Sequence, residues 1–152
     1  MKLSKKIAVR HKLDRLKIQS PLDFQDIDMN CVELYLDIST NPEDVLEIFT
    51  KDLNHFRIIV REILLGRYSD SHYRKEADGV SAMKFLGKIN SRIYCQENKT
   101  ADGKRKVVIM SKPLTNKNAD KNDKKIKDLI ESIQKTEFIL CQTYEEAKQI
   151  KL

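Results

Sequence analysis

The chain has 152 residues, of which 40% are apolar and 34% charged, and a net charge of +6. That length supports one domain with its own core and needs no metal or disulfide staple. No apolar run approaches the roughly 18 residues that suggest a membrane span, and no apolar segment follows the basic N-terminus to make a signal peptide.

Residues 1–17 carry seven cations against Asp14, residues 23–52 nine acids against Lys51, and residues 99–127 ten cations against Asp102, Asp120 and Asp123. Such blocks suggest separate surfaces with separate partners; the alternative is that they neutralise each other in the fold. Residues 1–30 read as a basic arm of undefined role and 31–152 as a single domain. Cys31, Cys95 and Cys141 are odd in number, far apart and without metal-ligand spacing, which points to reduced thiols in a cytoplasmic protein.

In chain order, residues 1–20 form a helix or a strand, and Ser20-Pro21 marks a break. Cys31–Ile38 alternates Val32, Leu34, Leu36 and Ile38 with polar partners, a half-buried strand with an amphipathic helix as its competitor. Asn41-Pro42-Glu43-Asp44 is a helix start: a cap, proline at the first position, then acids at the positive end of the dipole. Val45, Phe49, Leu53, Phe56, Val60, Ile63 and Leu64 continue it as one apolar stripe, and Leu65-Gly66 ends it.

Residues 67–79 are polar and read as a loop. Three short strands follow, with apolar runs Met83–Leu86, Ile93–Cys95 and Val107–Met110. Asp102-Gly103 signals the hairpin between the last two, and Pro113 stops the third. Residues 115–125 are poor in apolar side chains. A second helix covers about Asp123–Lys135, with Ile126, Leu129, Ile130 and Ile133 on one face. Phe138–Cys141 is a short buried strand, and Tyr144–Ile150 a last helical turn or two.

The three strands are studded with lysine and arginine, so a polyanion is the first partner to consider. Alternation along a strand puts Arg92, Tyr94 and Gln96 on one face, and Lys84, Leu86 and Lys88 on one face opposite Met83 and Phe85. Lys104-Arg105-Lys106 is a solvated hairpin tip or a phosphate clamp. His55 lies beside the apolar stripe and reads as structural; His72, near Tyr68 and Tyr73, is a weaker acid–base candidate. There is no P-loop, GxGxxG or GxSxG motif, and the carboxylate pairs lack partners for glycosidase or metal chemistry.

The order of long helix, loop, MKFLGKINSRIYCQE, GKRKVVIMSKPL and KNDKKIKDLIES resembles the RelE/ParE/HigB-like toxins of bacterial toxin–antitoxin modules, in their HigB-like, phage-type branch. The resemblance covers roughly residues 45–135. It implies an α+β fold in which a small twisted antiparallel sheet carries helices packed on one side. It also implies a metal-free endoribonuclease that cuts ribosome-associated mRNA, needs no cofactor and is silenced by an antitoxin. Arg92 matches the strand arginine set against the scissile phosphate, Lys84 lies near a lysine of the preceding strand, and Lys112 and Lys117 lie where basic residues follow the last strand.

Cleavage by 2′-OH attack needs a base, cations for the phosphorane and an acid for the leaving oxygen. Arg92, Lys84, Tyr94 and Lys112 are the catalytic candidates; Lys88, Lys104, Arg105, Lys106 and Lys117 are the RNA-binding ones. Lys84, crowded by cations, would exchange protons nearer neutrality. The bland alternative makes Arg92 and Lys84 solvated sheet residues and Tyr94 core. The rival function is a non-catalytic module of the same fold that binds nucleic acid or protein, for example one directed at gyrase.

Overall fold

The computed structural model describes residues 4–12, 32–86, 90–115 and 123–152. Within them, eight strands make one mixed sheet: β1 (Ser4–Arg10), β2 (Val32–Asp37), β3 (Tyr73–Ala77), β4 (Val80–Phe85), β5 (Ser91–Lys99), β6 (Lys106–Met110), β7 (Leu114–Thr115) and β8 (Thr136–Cys141). Their order is β3-β4-β5-β6-β2-β1-β8, with β7 paired to β5. The β2–β6 and β1–β8 pairs are parallel and the others antiparallel.

The sequence expectation of one continuous helix over the second apolar stripe resolves into two. Helix α1 (Pro42–Lys51) is capped by Asn41, whose side chain accepts from the Glu43 N–H, and α2 (Leu53–Leu65) follows after Asp52. Asp52 leaves helical geometry at φ −137° and ψ 63°. The break folds the stripe back on itself, so Phe49 stacks on Phe56 at 3.9 Å and 13°. Gly66 caps α2 at φ +68°, where a Cβ would stand 3.1 Å from Lys106 Nζ; that combination favours glycine.

Both helices cover one sheet face, burying Leu34, Leu36, Met83, Phe85, Ile93, Val108 and Met110. Truncating a fully buried ring such as Phe56 to alanine costs about 3–5 kcal/mol. Helix α4 (Tyr144–Lys148) sits on the same face beyond them, where Ala147 packs with Ile7, Val9 and Cys141; the pairing of Val9 with Leu36 carries that face across to β1.

Helix α3 (Asp123–Gln134) covers the opposite face. Its Ile126, Leu129, Ile130 and Ile133 meet Val80, Ala82 and Tyr94. This overturns the expected architecture. A small antiparallel sheet with helices on one side is replaced by an eight-stranded mixed sheet with helices on both. The reason lies in β4 and β5, which carry apolar side chains on both faces, so the amphipathic stripe of α3 finds a second apolar surface. Gln96 fastens α3 and the start of β8 to the sheet: its Nε2 donates to the carbonyl of Ile133, an acceptor left over at the helix end, at 2.7 Å and to that of Thr136 at 2.8 Å.

Smaller differences follow the same logic. The segment read as a basic arm contributes β1, which lies between β2 and β8. Strand β2 keeps its expected alternation but is buried on both faces, with Tyr35 2% exposed. Strand β3 lies in the stretch read as loop, and β7 continues past Pro113 to pair Leu114 with Arg92. Cys95 and Cys141 are free and buried, and burial raises both thiols. No helix among the described residues is long and apolar enough to cross a membrane.

Candidate nucleic-acid interface

Strands β4 and β5 set Lys84 and Arg92 directly opposite each other. Both side chains rise on the α3 face, at the end of the sheet away from the hairpin tip. Lys84 is only 5% exposed. Its Nζ donates to the Asp70 carbonyl at 2.9 Å and its N–H to the His72 carbonyl at 2.8 Å. Burial first, then the guanidiniums of Arg92 and Arg74, hold its ammonium below the ordinary value of 10.5. Among the described residues, no carboxylate lies within ion-pair distance of Lys84 or Arg92, while Arg74 has Glu76 at 3.9 Å. The result is a row of cations whose positive field is only lightly compensated. Two like charges facing each other across a ladder destabilise it, and a phosphate between them would reverse that sign.

The other sequence candidates scatter. Tyr94 shares the face of Arg92, but it is 1% exposed beneath α3, and its carbonyl accepts from both the N–H and the hydroxyl of Ser111. As placed, its ring packs on apolar side chains and has no room for a base. Lys112 is exposed in the link between β6 and β7, next to the strand that pairs with Arg92.

Of the three basic residues at the hairpin tip, Lys104 is exposed and Arg105 and Lys106 are half-buried. Arg105 pairs with Glu33 at 3.1 Å, and Lys106 Nζ donates to the Ile63 carbonyl at 2.8 Å, at the C-terminal end of α2. Lys88 and Lys117 lie outside the described residues. Arg105 and Lys106 are therefore tied into the fold, as Lys84 is through the Asp70 carbonyl.

Two groups escaped the sequence reading. Arg74 joins Lys84 and Arg92 only because β3 exists, and three charged residues in five hid that strand. Asp52 is buried, and its Oδ1 lies 2.9 Å from His55 Nδ1. The His72 ring stands 5.2 Å from that of His55. An aspartate thus orients one imidazole beside a second, next to the loop that holds Lys84. The spacing Asp52–His55 on a helix turn was readable; the approach of His72 from a loop was not. Among the described residues no group of three or more His, Cys, Asp or Glu side chains is arranged to hold a metal ion.

Comparison with protein-family models, with curated proteins and with solved structures found no match.

Proposed function

We propose that this chain binds RNA through its phosphate backbone, with Arg92, Lys84 and Arg74 as the contact row and Lys112 at its edge. The observation that carries the reading is the Lys84–Arg92 pair: two cations in register, one of them buried, with no carboxylate in range among the described residues. Arginine offers a fork of donors that suits phosphate oxygens, and lysine adds a point charge beside it. Contacts of this kind position a strand without reading its bases.

The test is affinity for a short single-stranded RNA as a function of salt. The expected plot is log-linear, with a slope of about −0.7 per phosphate contacted, flattened in Arg92→Ala by about one contact. A salt-independent affinity, or one unaffected by Arg92→Ala, removes the reading.

A second reading, a metal-free endoribonuclease of the toxin type acting on ribosome-associated mRNA and restrained by an antitoxin, is favoured by one specific feature. Burial and the neighbouring guanidiniums lower the Lys84 pKa, and Arg92 is its register partner, so a proton carrier sits opposite a phosphate-binding cation; the His72 backbone joins the Lys84 strand at its edge. In that reading Arg92 stabilises the phosphorane and Lys84 or His72 moves the proton. Induced expression that arrests growth and shortens transcripts, with both effects abolished by Arg92→Ala, selects this reading; RNA binding without scission in excess chelator selects the first.

A further inference from the structure

A second cationic group lies on the other face and at the other end of β5. Lys99 and Lys106 are register partners across β5 and β6, again a like-charge pair set directly opposite. Together with Lys75 they line a cleft of about 500 Å³, shared with Tyr68 and the carboxylates of Glu97 and Asp78; that size falls within the roughly 300–1,000 Å³ of small-molecule sites. No carboxylate is within ion-pair distance of any of these three lysines among the described residues.

Glu97 is held rigidly. The Tyr68 hydroxyl donates to its two oxygens at 3.0 and 3.3 Å. Burial and this carboxylate push the Tyr68 hydroxyl up to about 12, so it remains a donor near neutrality. The Tyr68 ring is nearly half exposed, backed by the buried Tyr73 ring at 5.7 Å and 11°, and Lys75 Nζ stands 5.9 Å from its centre. The cleft thus combines cations, a flat aromatic backed by a second ring, and an acceptor held by the Tyr68 hydroxyl.

We propose that this cleft binds a guanosine phosphate. The phosphate is met by Lys99, Lys106 adds its charge from the wall of the cleft while its Nζ stays on the Ile63 carbonyl at 2.8 Å, and the base lies against Tyr68, displacing Lys75 toward the phosphate. Glu97 accepts from the paired N–H donors on the guanine edge, which present two parallel hydrogens to one carboxylate. Adenine and the pyrimidines lack that donor pair. The assignment does not depend on the RNA reading above, because it uses none of the same side chains.

The experiment titrates the full chain with 5′-GMP, 5′-AMP, inorganic phosphate and a short RNA ending in guanosine, followed by calorimetry and by two-dimensional NMR. The expected result is saturable GMP binding about tenfold tighter than AMP, the discrimination one bidentate base contact gives. Lys99→Ala should weaken GMP by about fivefold or more, and Glu97→Gln should reduce GMP to the AMP level. Because Glu97 also holds buried neighbours, Lys99→Ala, at an exposed position, keeps the test open if Glu97→Gln fails to fold. Binding of the guanosine-ended RNA but not of free GMP, lost in Lys99→Ala and retained in Arg92→Ala, assigns the same site to an RNA terminus. Equal affinity for GMP and AMP, GMP binding no tighter than inorganic phosphate, or wild-type affinity in Lys99→Ala overturns the proposal.

Discussion

Two groups of cations flank the α3 side of the sheet, and they are treated in opposite ways. On the β1–β2 flank, Glu33 takes Arg10 at 3.6 Å and Arg105 at 3.1 Å, and Asp37 takes Lys6 at 3.7 Å; Arg10 also lies over the Tyr35 ring. On the β3–β5 flank, Arg74, Lys84 and Arg92 stand together; among the described residues Glu76 lies 3.9 Å from Arg74, and Glu76 and Asp70 offset part of the charge around Lys84. The first group shows how the acidic and basic blocks of the chain meet: Glu33 and Asp37, two of the nine acids, receive cations of the N-terminal strand and the hairpin. The second group shows where cancellation stops. A cluster that repels itself in the free protein is stabilised by an added anion, and that asymmetry is the physical ground for assigning phosphate contact to one flank and architecture to the other.

The sharpest way to break this contrast is Glu33→Ala. It removes one carboxylate shared by Arg10 and Arg105, and the acceptor of the Tyr35 hydroxyl. The expected loss is about 3 kcal/mol, read from the midpoint of denaturant unfolding, with RNA affinity not reduced. Unchanged stability would mean that the pairs on this flank are ornamental.

Arg92→Ala should do the reverse: RNA affinity falls about tenfold at low salt, while stability moves by no more than about 0.5 kcal/mol. If the protein unfolds instead, Arg92 belongs with the architectural cations.

Lys84→Met sharpens the comparison through pH. Burial and Arg92 depress the folded-state pKa of Lys84 below 10.5, so the unfolded chain binds more protons in the interval between the two values. Stability of the natural protein must therefore rise with pH across that interval. Below it the full penalty is present, and Lys84→Met should be the more stable protein. The advantage should shrink as pH climbs through the depressed pKa toward 10.5. An advantage independent of pH would show that the fold leaves the Lys84 pKa where the unfolded chain has it.

The smallest effect is expected at Lys104→Ala, which removes an exposed tip cation and should weaken RNA binding by about twofold or less. A loss as large as that of Arg92→Ala would move the interface to the hairpin.

Much of the local structure was legible because it is written in period and punctuation. The Asn41-Pro42 start, the apolar stripe through Ile63, the Gly66 stop and the Asp102-Gly103 turn are all where short-range rules put them, and the alternation that separates Arg92 and Tyr94 from Ile93 and Cys95 is also as read. What failed was long-range. Asp52 interrupts a stripe that is periodic on both sides of it. Tyr73–Ala77 is a strand because β4 pairs with it, not because YRKEA favours one. That α3 would dock on the face carrying Tyr94 follows from where the chain returns in space, which no spacing records; the same docking takes Tyr94 out of the interface while leaving Arg92 at its margin. The pairing of Arg105 with Glu33 joins residues 72 positions apart, so a hairpin that reads as a free clamp becomes a tether.

The parallel pairing of β1 with β8 has a kinetic consequence. Residues 4–9 find their outer partner only in residues 136–141, so during synthesis β1 waits through most of translation with one row of backbone donors and acceptors uncovered. Such a contact is among the most costly in loop entropy to close and belongs to the slow class of folding topologies. A ribosome stalled before residue 136 would release a chain with an open edge bearing Ile7, Ala8 and Val9, a template for pairing with another unfinished copy.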